Sequence, residues 1–194
     1  MAFVAFLDAC VLYPAVLRDV LLTVGKAGIC QLRWSPDVLD EMQRNLEGKG
    51  KSGAAYLRQI MEGAFPDAMV ERERYERLVP VMTNDEKDRH VLAAAISARA
   101  DVLVTFNVRH FPKDACTPYG VEVQHPDAFL LHQFELAPAA FLHNLESLAS
   151  ERTKPPLTTV DEMLAALQKV TPQFAAAAQK EALIRRGGGS AKPN

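Results

Sequence analysis

Phe3-Val-Ala-Phe-Leu7-Asp8 places five apolar residues in a row and closes on a carboxylate. A run with no polar face fits a strand buried on both sides. Val102 to Phe106 repeats the pattern, and Val121 to Gln124, after the turn residues Pro118 and Gly120, reads as a further short strand. Another falls around Ile29 to Arg33. Helical spacing fills the gaps. Pro14 opens a helix with Val16, Leu17, Val20, Leu21 and Val24 on one stripe, ended by Gly25 and Gly28. Ser35-Pro36 is a hydroxyl cap followed by proline at the first helical position, and predicts a helix to about Glu47. A loop covers Gly48 to Gly53, then a helix Ala54 to Gly63. Glu71 to Arg77 alternates charges and reads as a solvated helical face. Asn84 or Asp85 caps a helix running through Ala100. Strands alternating with helices predict parallel βαβ units and an α/β sheet.

The pattern changes at Pro126. Helical spacing appears at 126–134, 138–150, 160–170 and 172–186, broken at Pro155-Pro156 and Pro172. The expected organisation is an α/β domain over 1–125, a helical extension packed on it over 126–186, and a flexible tail over 187–194 that begins Gly-Gly-Gly-Ser. Phe129, Leu130, Phe134, Phe141, Leu142, Leu145 and Leu148 supply apolar surface for that packing, with a partner surface as the second use. The chain has 194 residues, 48% hydrophobic and 24% charged, which suits one domain with an appended piece and excludes wholesale disorder. A net charge of −2 excludes a strongly basic field, so any nucleic-acid site is a local patch. No apolar run approaches the roughly 18 residues of a membrane span. The first ten residues lack a signal-peptide pattern, and Cys10, Cys30 and Cys116 are odd in number and not spaced as metal pairs, so a cytoplasmic chain with reduced thiols is expected.

Several polar residues stand where chemistry is done. Asp8 ends the first strand, and ligands of open α/β sheets bind beyond such ends. Asp88 falls within roughly 10° of the centre of the stripe formed by Val91, Leu92, Ala95 and Ile96, where an unpaired charge is costly. Asp85 lies one turn earlier on that side. Glu41 borders the stripe of Val38, Leu39, Met42 and Leu46, and is the acid of its helix best placed to face inward. Thr105 and Asn107 put a hydroxyl and an amide at the end of the second apolar strand. Each alone has an ordinary structural alternative: a cap, an ion pair, a surface glutamate, turn chemistry. Together they line a cavity with oxygen atoms, which suits Mg²⁺ or Mn²⁺ and points to hydrolysis of a phosphodiester. Gly50-Lys-Ser52 is no phosphate loop, since Asn45 stands where glycine is needed. No histidine or cysteine set has zinc spacing.

The runs Phe6-Leu-Asp8-Ala-Cys-Val-Leu-Tyr13, Leu39-Asp-Glu41, Asp85-Glu-Lys-Asp88-Arg-His-Val-Leu-Ala-Ala-Ala95 and Val104-Thr-Phe-Asn107-Val-Arg-His-Phe111 resemble, in that order, the PIN domain. The nearer likeness is to VapC-type toxins of bacterial toxin–antitoxin pairs, over about residues 3–125. The resemblance implies a three-layer sandwich with a central parallel sheet of four to five strands, and a Mg²⁺- or Mn²⁺-dependent endoribonuclease. It implies Asp8, Glu41 and Asp88 as first, second and third acids, Thr105 as the supporting hydroxyl, and Asp85 as a contact through water. Where the family often has a fourth acid, this chain has Asn107 and His110, so Asn107 becomes a weaker metal contact and a second ion is in question. RNA is the implied substrate, with tRNA one candidate class. An antitoxin protein and a second copy of the chain are the implied partners, and no membrane. Arg18, Arg44, Arg89 and Arg109, with Lys49 and Lys51, are candidates for RNA phosphates. The alternatives are a non-catalytic metal- or RNA-binding module and, ranked lower, a receiver-like domain, which wants paired acids where Asp8 is followed by Ala9 and Cys10.

Overall fold

The structure, a computed structural model, describes residues 3–152 and 157–188. The expected break at Pro155-Pro156 and positions 189–194 of the expected tail lie outside these. The α/β part runs β1 (Val4–Leu7), α1 (Ala9–Leu12), α2 (Ala15–Lys26), β2 (Gln31–Arg33), α3 (Pro36–Gly48), α4 (Ala54–Ala64), α5 (Arg89–Ser97), β3 (Val102–Val104), α6 (Lys113–Cys116) and β4 (Glu122–Gln124). Four helices follow: α7 (Pro126–Leu136), α8 (Pro138–Ser150), α9 (Val160–Leu167) and α10 (Pro172–Gly188).

The four strands form one parallel sheet in the order β2-β1-β3-β4, with Leu7 opposite Val104 and Val104 opposite Gln124. The two fully apolar runs are the two central strands: Ala5, Phe6, Leu7 and all of β3 are buried, while Gln31 and Glu122 on the outer strands are exposed. Order and helices together carry the parallel α/β sheet expected from the residues and the sandwich implied by the resemblance. From β1 the chain leaves toward β2, and from β3 it leaves the other way toward β4. Parallel crossovers are right-handed, so opposite directions put helices on opposite faces. The connections diverge between β1 and β3, which leaves a crevice beyond their carboxyl ends, where ligands of such sheets sit.

Several local expectations change. A short helix that the sequence did not announce, α1, follows Asp8 at once. Glu71 to Arg77 holds no α-helix, only a short 3₁₀ turn at Arg72–Arg74. Tyr75 is buried there and donates to Asp37, to which Arg72 also pairs, so this segment is pinned to α3, while its other residues are exposed as expected. The helix expected from Asp85 to Ala100 is divided: Asp85 caps a 3₁₀ turn at Glu86–Asp88, and α5 begins at Arg89. It ends at Ser97, before the left-handed Arg99. Ser35 caps α3 as expected, accepting from the Val38 N–H. Residues 187 and 188, expected in the tail, end α10 instead.

The C-terminal helices pack inward. α8 and α9 lie on α2, and α10 on α7. Phe129, Leu130, Phe134, Phe141, Leu142 and Leu145 are buried. Phe134, Phe141 and Phe174 interlock with ring centroids 5.3 to 5.9 Å apart, a favourable spacing for tilted and edge-on rings. The buried Asp127 of α7 accepts from the Gln173 N–H (3.1 Å) and the Phe174 N–H (2.9 Å), so one helix's carboxylate satisfies the open first turn of another. Arg18 and Arg152 share Asp19, tying α2 to the end of α8. No helix among the described residues is long and apolar enough to cross a membrane.

Candidate active site

Asp8 continues the central ladder by one rung, its N–H donating to the Val104 carbonyl (3.1 Å). This puts its carboxylate beside Thr105, the first residue past β3, with 2% of Asp8 exposed. The Thr105 hydroxyl donates to Asp8 Oδ2 (2.6 Å), and the Cys10 thiol donates to the same oxygen (3.1 Å), leaving Oδ1 clear of both. The Asn107 N–H donates to Thr105 Oγ1 (2.9 Å), which occupies a lone pair and aims the hydroxyl proton at Asp8. The Phe106 N–H does the same for the Cys10 sulfur (3.2 Å). Burial raises the Asp8 pKa above the usual carboxylate range; the Thr105 and Cys10 donors oppose this, and the charge of Asp88 adds to it. Burial and the charge of Asp8 push the Cys10 thiol up to about 12, so it stays a proton donor.

Asp88 sits at the junction of the Glu86–Asp88 turn and α5. Its side chain does not cap that helix. Oδ2 instead meets His110 Nδ1 at 2.6 Å. His110 closes a 3₁₀ turn at Val108–His110, and its carbonyl accepts from the Asp85 N–H (3.1 Å). Donor atoms of Asp85, Asp88 and His110 all lie within 4.8 Å of one another. Glu41 is half-buried on α3. Its pKa is raised by burial first, then by the charge of Asp8, with Asp88 adding; His90 and Arg44 oppose the rise. Asp8, Glu41 and Asp88 therefore feel one another's charge across the crevice, although they come from three separate stretches of chain.

The other expected residues are distributed less evenly. Asn107 is placed through its backbone, holding Thr105. Arg44 and Arg109 are exposed, and Arg89 is half-buried. Arg18 is a correction: it is 7% exposed, donates to the Leu12 carbonyl (3.0 Å) and lies 3.5 Å from Asp19, so it is spent inside the fold rather than offered to a phosphate. Its place on the α2 stripe beside Leu17 and Leu21 carried that signal. Three contributors escaped notice or were underrated. Cys10 stands two residues past Asp8, His90 two past Asp88, and His110 three past Asn107, where a 3₁₀ turn brings it back on itself.

A divalent cation fits this donor set. Mutually repelling carboxylates, one of them buried with an oxygen clear of its two side-chain donors, need a compensating charge, and a mixed carboxylate–imidazole group stands beside them. What arrives at the crevice is thus an acid-lined edge of a parallel sheet.

Comparison with known proteins agrees with this frame. Residues 126–180 match the VapC50 C-terminal domain. A protein of Mycobacterium tuberculosis (strain ATCC 25618 / H37Rv) named "Putative ribonuclease VapC50" is 44% identical over 106 residues, which are 55% of this chain and 62% of that protein. The alignment therefore spans less than two thirds of the relative. No solved structure matches. Residues 4–109 match the PIN domain family, a stretch that is more than half of the chain and carries Asp8, Glu41, Asp88 and Thr105, so this chain belongs to the PIN domain family.

Proposed function

We propose that the chain is a metal-dependent endoribonuclease acting in the cytoplasm as the toxin of a toxin–antitoxin pair. Residues 1–125 would be the nuclease and 126–186 the helical region. The observation that carries this is the mutual repulsion of Asp8, Glu41 and Asp88 at the carboxyl ends of β1 and β3. Three acids held in that relation destabilise the fold unless they have work to do. The name of the 44% identical relative supports the same reading.

Asp8, Asp88 and Glu41 are the residues that would hold Mg²⁺ or Mn²⁺, with Asn107 a weaker contact and Asp85 a contact through water. The ion, when bound, supplies charge to offset the scissile phosphate and to acidify an attacking water. The chain's own residues do the rest. Thr105 and Cys10 hold Asp8 through Oδ2, so that Oδ1 would be the oxygen left to offer an ion. Arg44 and Arg109, both exposed and close to Glu41 and His110 in space or sequence, receive the RNA backbone, with the half-buried Arg89 a further candidate. Cleavage should weaken as salt rises. The three cysteines are free thiols, as a reducing compartment requires.

Induced expression of wild type and Asp8→Asn in a bacterial host, with sequencing of new RNA ends, tests this. Growth arrest and discrete cut sites in the wild type alone are expected, with rescue by a co-expressed antitoxin partner. Cut sites that persist in Asp8→Asn would overturn the assignment, and metal or RNA binding without any cutting would favour a non-catalytic module.

A further inference from the structure

We infer that Phe106 and His125 form a nucleobase subsite beside the acidic crevice, which takes one unpaired base of a single-stranded RNA next to the scissile phosphate. The inference deepens the nuclease reading and rests on it for RNA as the ligand.

Position is the first ground. Leu7 stands opposite Val104 and Val104 opposite Gln124, and the Thr105 N–H donates to the Gln124 carbonyl (3.0 Å). Asp8 and His125 therefore each follow the last residue of a strand, two strands apart on one carboxyl edge. Strand spacing sets their main chains about 10 Å from each other, with Thr105 and Phe106 between them. The Phe106 and His125 rings meet on that ledge with centroids 5.1 Å apart and planes at 70°, and both residues are half-buried. A pair of rings with exposed surface thus adjoins Thr105, whose hydroxyl holds Asp8. Ligands of such sheets lie beyond these strand ends.

Rigidity is the second ground. The Phe106 N–H donates to Cys10 Sγ (3.2 Å) and the Asn107 N–H to Thr105 Oγ1 (2.9 Å), which fixes the main chain around the ring. His125 Nδ1 accepts from the Asp127 N–H (3.2 Å) in the first turn of α7. The neutral ring therefore carries its proton on Nε2, a donor for an acceptor on the edge of a base. His125 cannot swing aside without uncapping α7, so the helical region holds one wall of the subsite. Rings already in place lose little freedom when a base arrives. The third ground is charge. The chain carries −2 overall and Arg18 is spent inside the fold, so attraction for phosphates is confined to a few local cations. Stacking on aromatic rings needs no such field and tolerates any base. It does need a base outside a duplex, where a ring face is open. The cut therefore falls in a loop or another single-stranded stretch.

The test uses the full chain and a short, fluorescently labelled single-stranded RNA. Anisotropy in EDTA reads affinity without cutting. MnCl₂ then gives kcat/KM on the same RNA, and on copies with an abasic nucleotide at each position flanking the mapped cut. Phe106→Leu keeps an apolar side chain and removes the aromatic face. It should weaken single-strand binding by about 5-fold or more, the low end for one stacked base, and erase the preference over a duplex of the same sequence. Phe106→Trp, which restores a stacking face, should bind at least as tightly as wild type. His125→Asn leaves a residue that can cap α7 and should also weaken binding. Circular dichroism confirms that each variant is folded. An abasic nucleotide at one flanking position should lower kcat/KM for wild type and cost Phe106→Leu nothing further. Failure of wild type to bind the single strand, unchanged affinity in Phe106→Leu, or an abasic penalty equal in both proteins overturns the inference. Ion-dependent cleavage by the same preparation would then leave the nuclease reading standing, whereas binding that depends on Phe106 without any cleavage would fault that reading alone.

Discussion

Thr105→Val keeps the shape of a side chain that is 0% exposed and removes only its hydroxyl. Three contacts go with it: the donation to Asp8 Oδ2 at 2.6 Å, the acceptance from the Asn107 N–H at 2.9 Å, and a weak contact with the Cys10 sulfur at 3.3 Å. A hydrogen bond to a charged partner contributes about 1.5–3 kcal/mol, and leaving the second donor unpaired adds about 1 kcal/mol. The expected loss is therefore about 3 kcal/mol. A domain of this size shifts by about 2–4 °C per kcal/mol, which gives a fall in melting temperature of roughly 10 °C. Thermal unfolding followed by circular dichroism at neutral pH, with urea unfolding beside it, measures this. Thr105→Ser keeps the hydroxyl and should lose only about 1 kcal/mol for the missing methyl. In an Asp8→Asn background the acceptor is neutral, so Thr105→Val should cost about 1 kcal/mol less than it does alone. If Thr105→Val melts within about 2 °C of wild type, or costs as much beside Asn as beside Asp, the hydroxyl does not hold the carboxylate and the description of the crevice is wrong.

Asp8 and Glu41 both have raised pKa values in the fold, burial being the first cause for each. Such acids bind more protons folded than unfolded, so their contribution is most favourable below the ordinary range, near 3.8 for Asp and 4.5 for Glu, and is lost as pH rises through the folded values. Melting curves in EDTA should thus show Asp8→Asn gaining on wild type as pH rises, and added MnCl₂ should close the gap; a difference flat with pH would count against the crowding of acids. Asp127→Ala removes both acceptors from the first turn of α10 and should lower stability by about 2 kcal/mol in urea, with no change expected if α10 is held by its phenylalanines alone. Gly25→Ala would set a Cβ 2.5 Å from Leu32 Cδ1, against β2, and should cost about 1–3 kcal/mol by the same measurement; a neutral result would mean that the α2–β2 contact is loose.

The central strands were legible because burial on both faces leaves an unbroken apolar run, and Asp8 and Thr105 could be placed at their ends for that reason. Asp88 was legible because it stands on an apolar stripe, where a charge needs a cause. Ser35-Pro36 announced α3 through local capping alone. What escaped was set by distant partners. Glu71 to Arg77 has the composition of a surface helix, yet Tyr75 and Arg72 are claimed by Asp37 on α3, and nothing nearby in sequence encodes that. Arg18 looked like a free cation because its partners, the Leu12 carbonyl and Asp19, act only once α2 is packed, with Arg152 arriving from 133 residues away on the same aspartate. The turn of His110 back toward Asp88 depends on a 3₁₀ segment too short for periodicity to show. Asp127 capping α10 across 47 residues is the same kind of tertiary fact.

Cleavage of a defined RNA by the purified chain, with and without a divalent ion, bears most directly on the nuclease assignment. Wild type should cut in MnCl₂, stop in EDTA, and leave 5′-phosphate ends, while folded Asp8→Asn and Asp88→Asn should both be inactive. Cutting that survives EDTA, or that either folded variant retains in full, would contradict it.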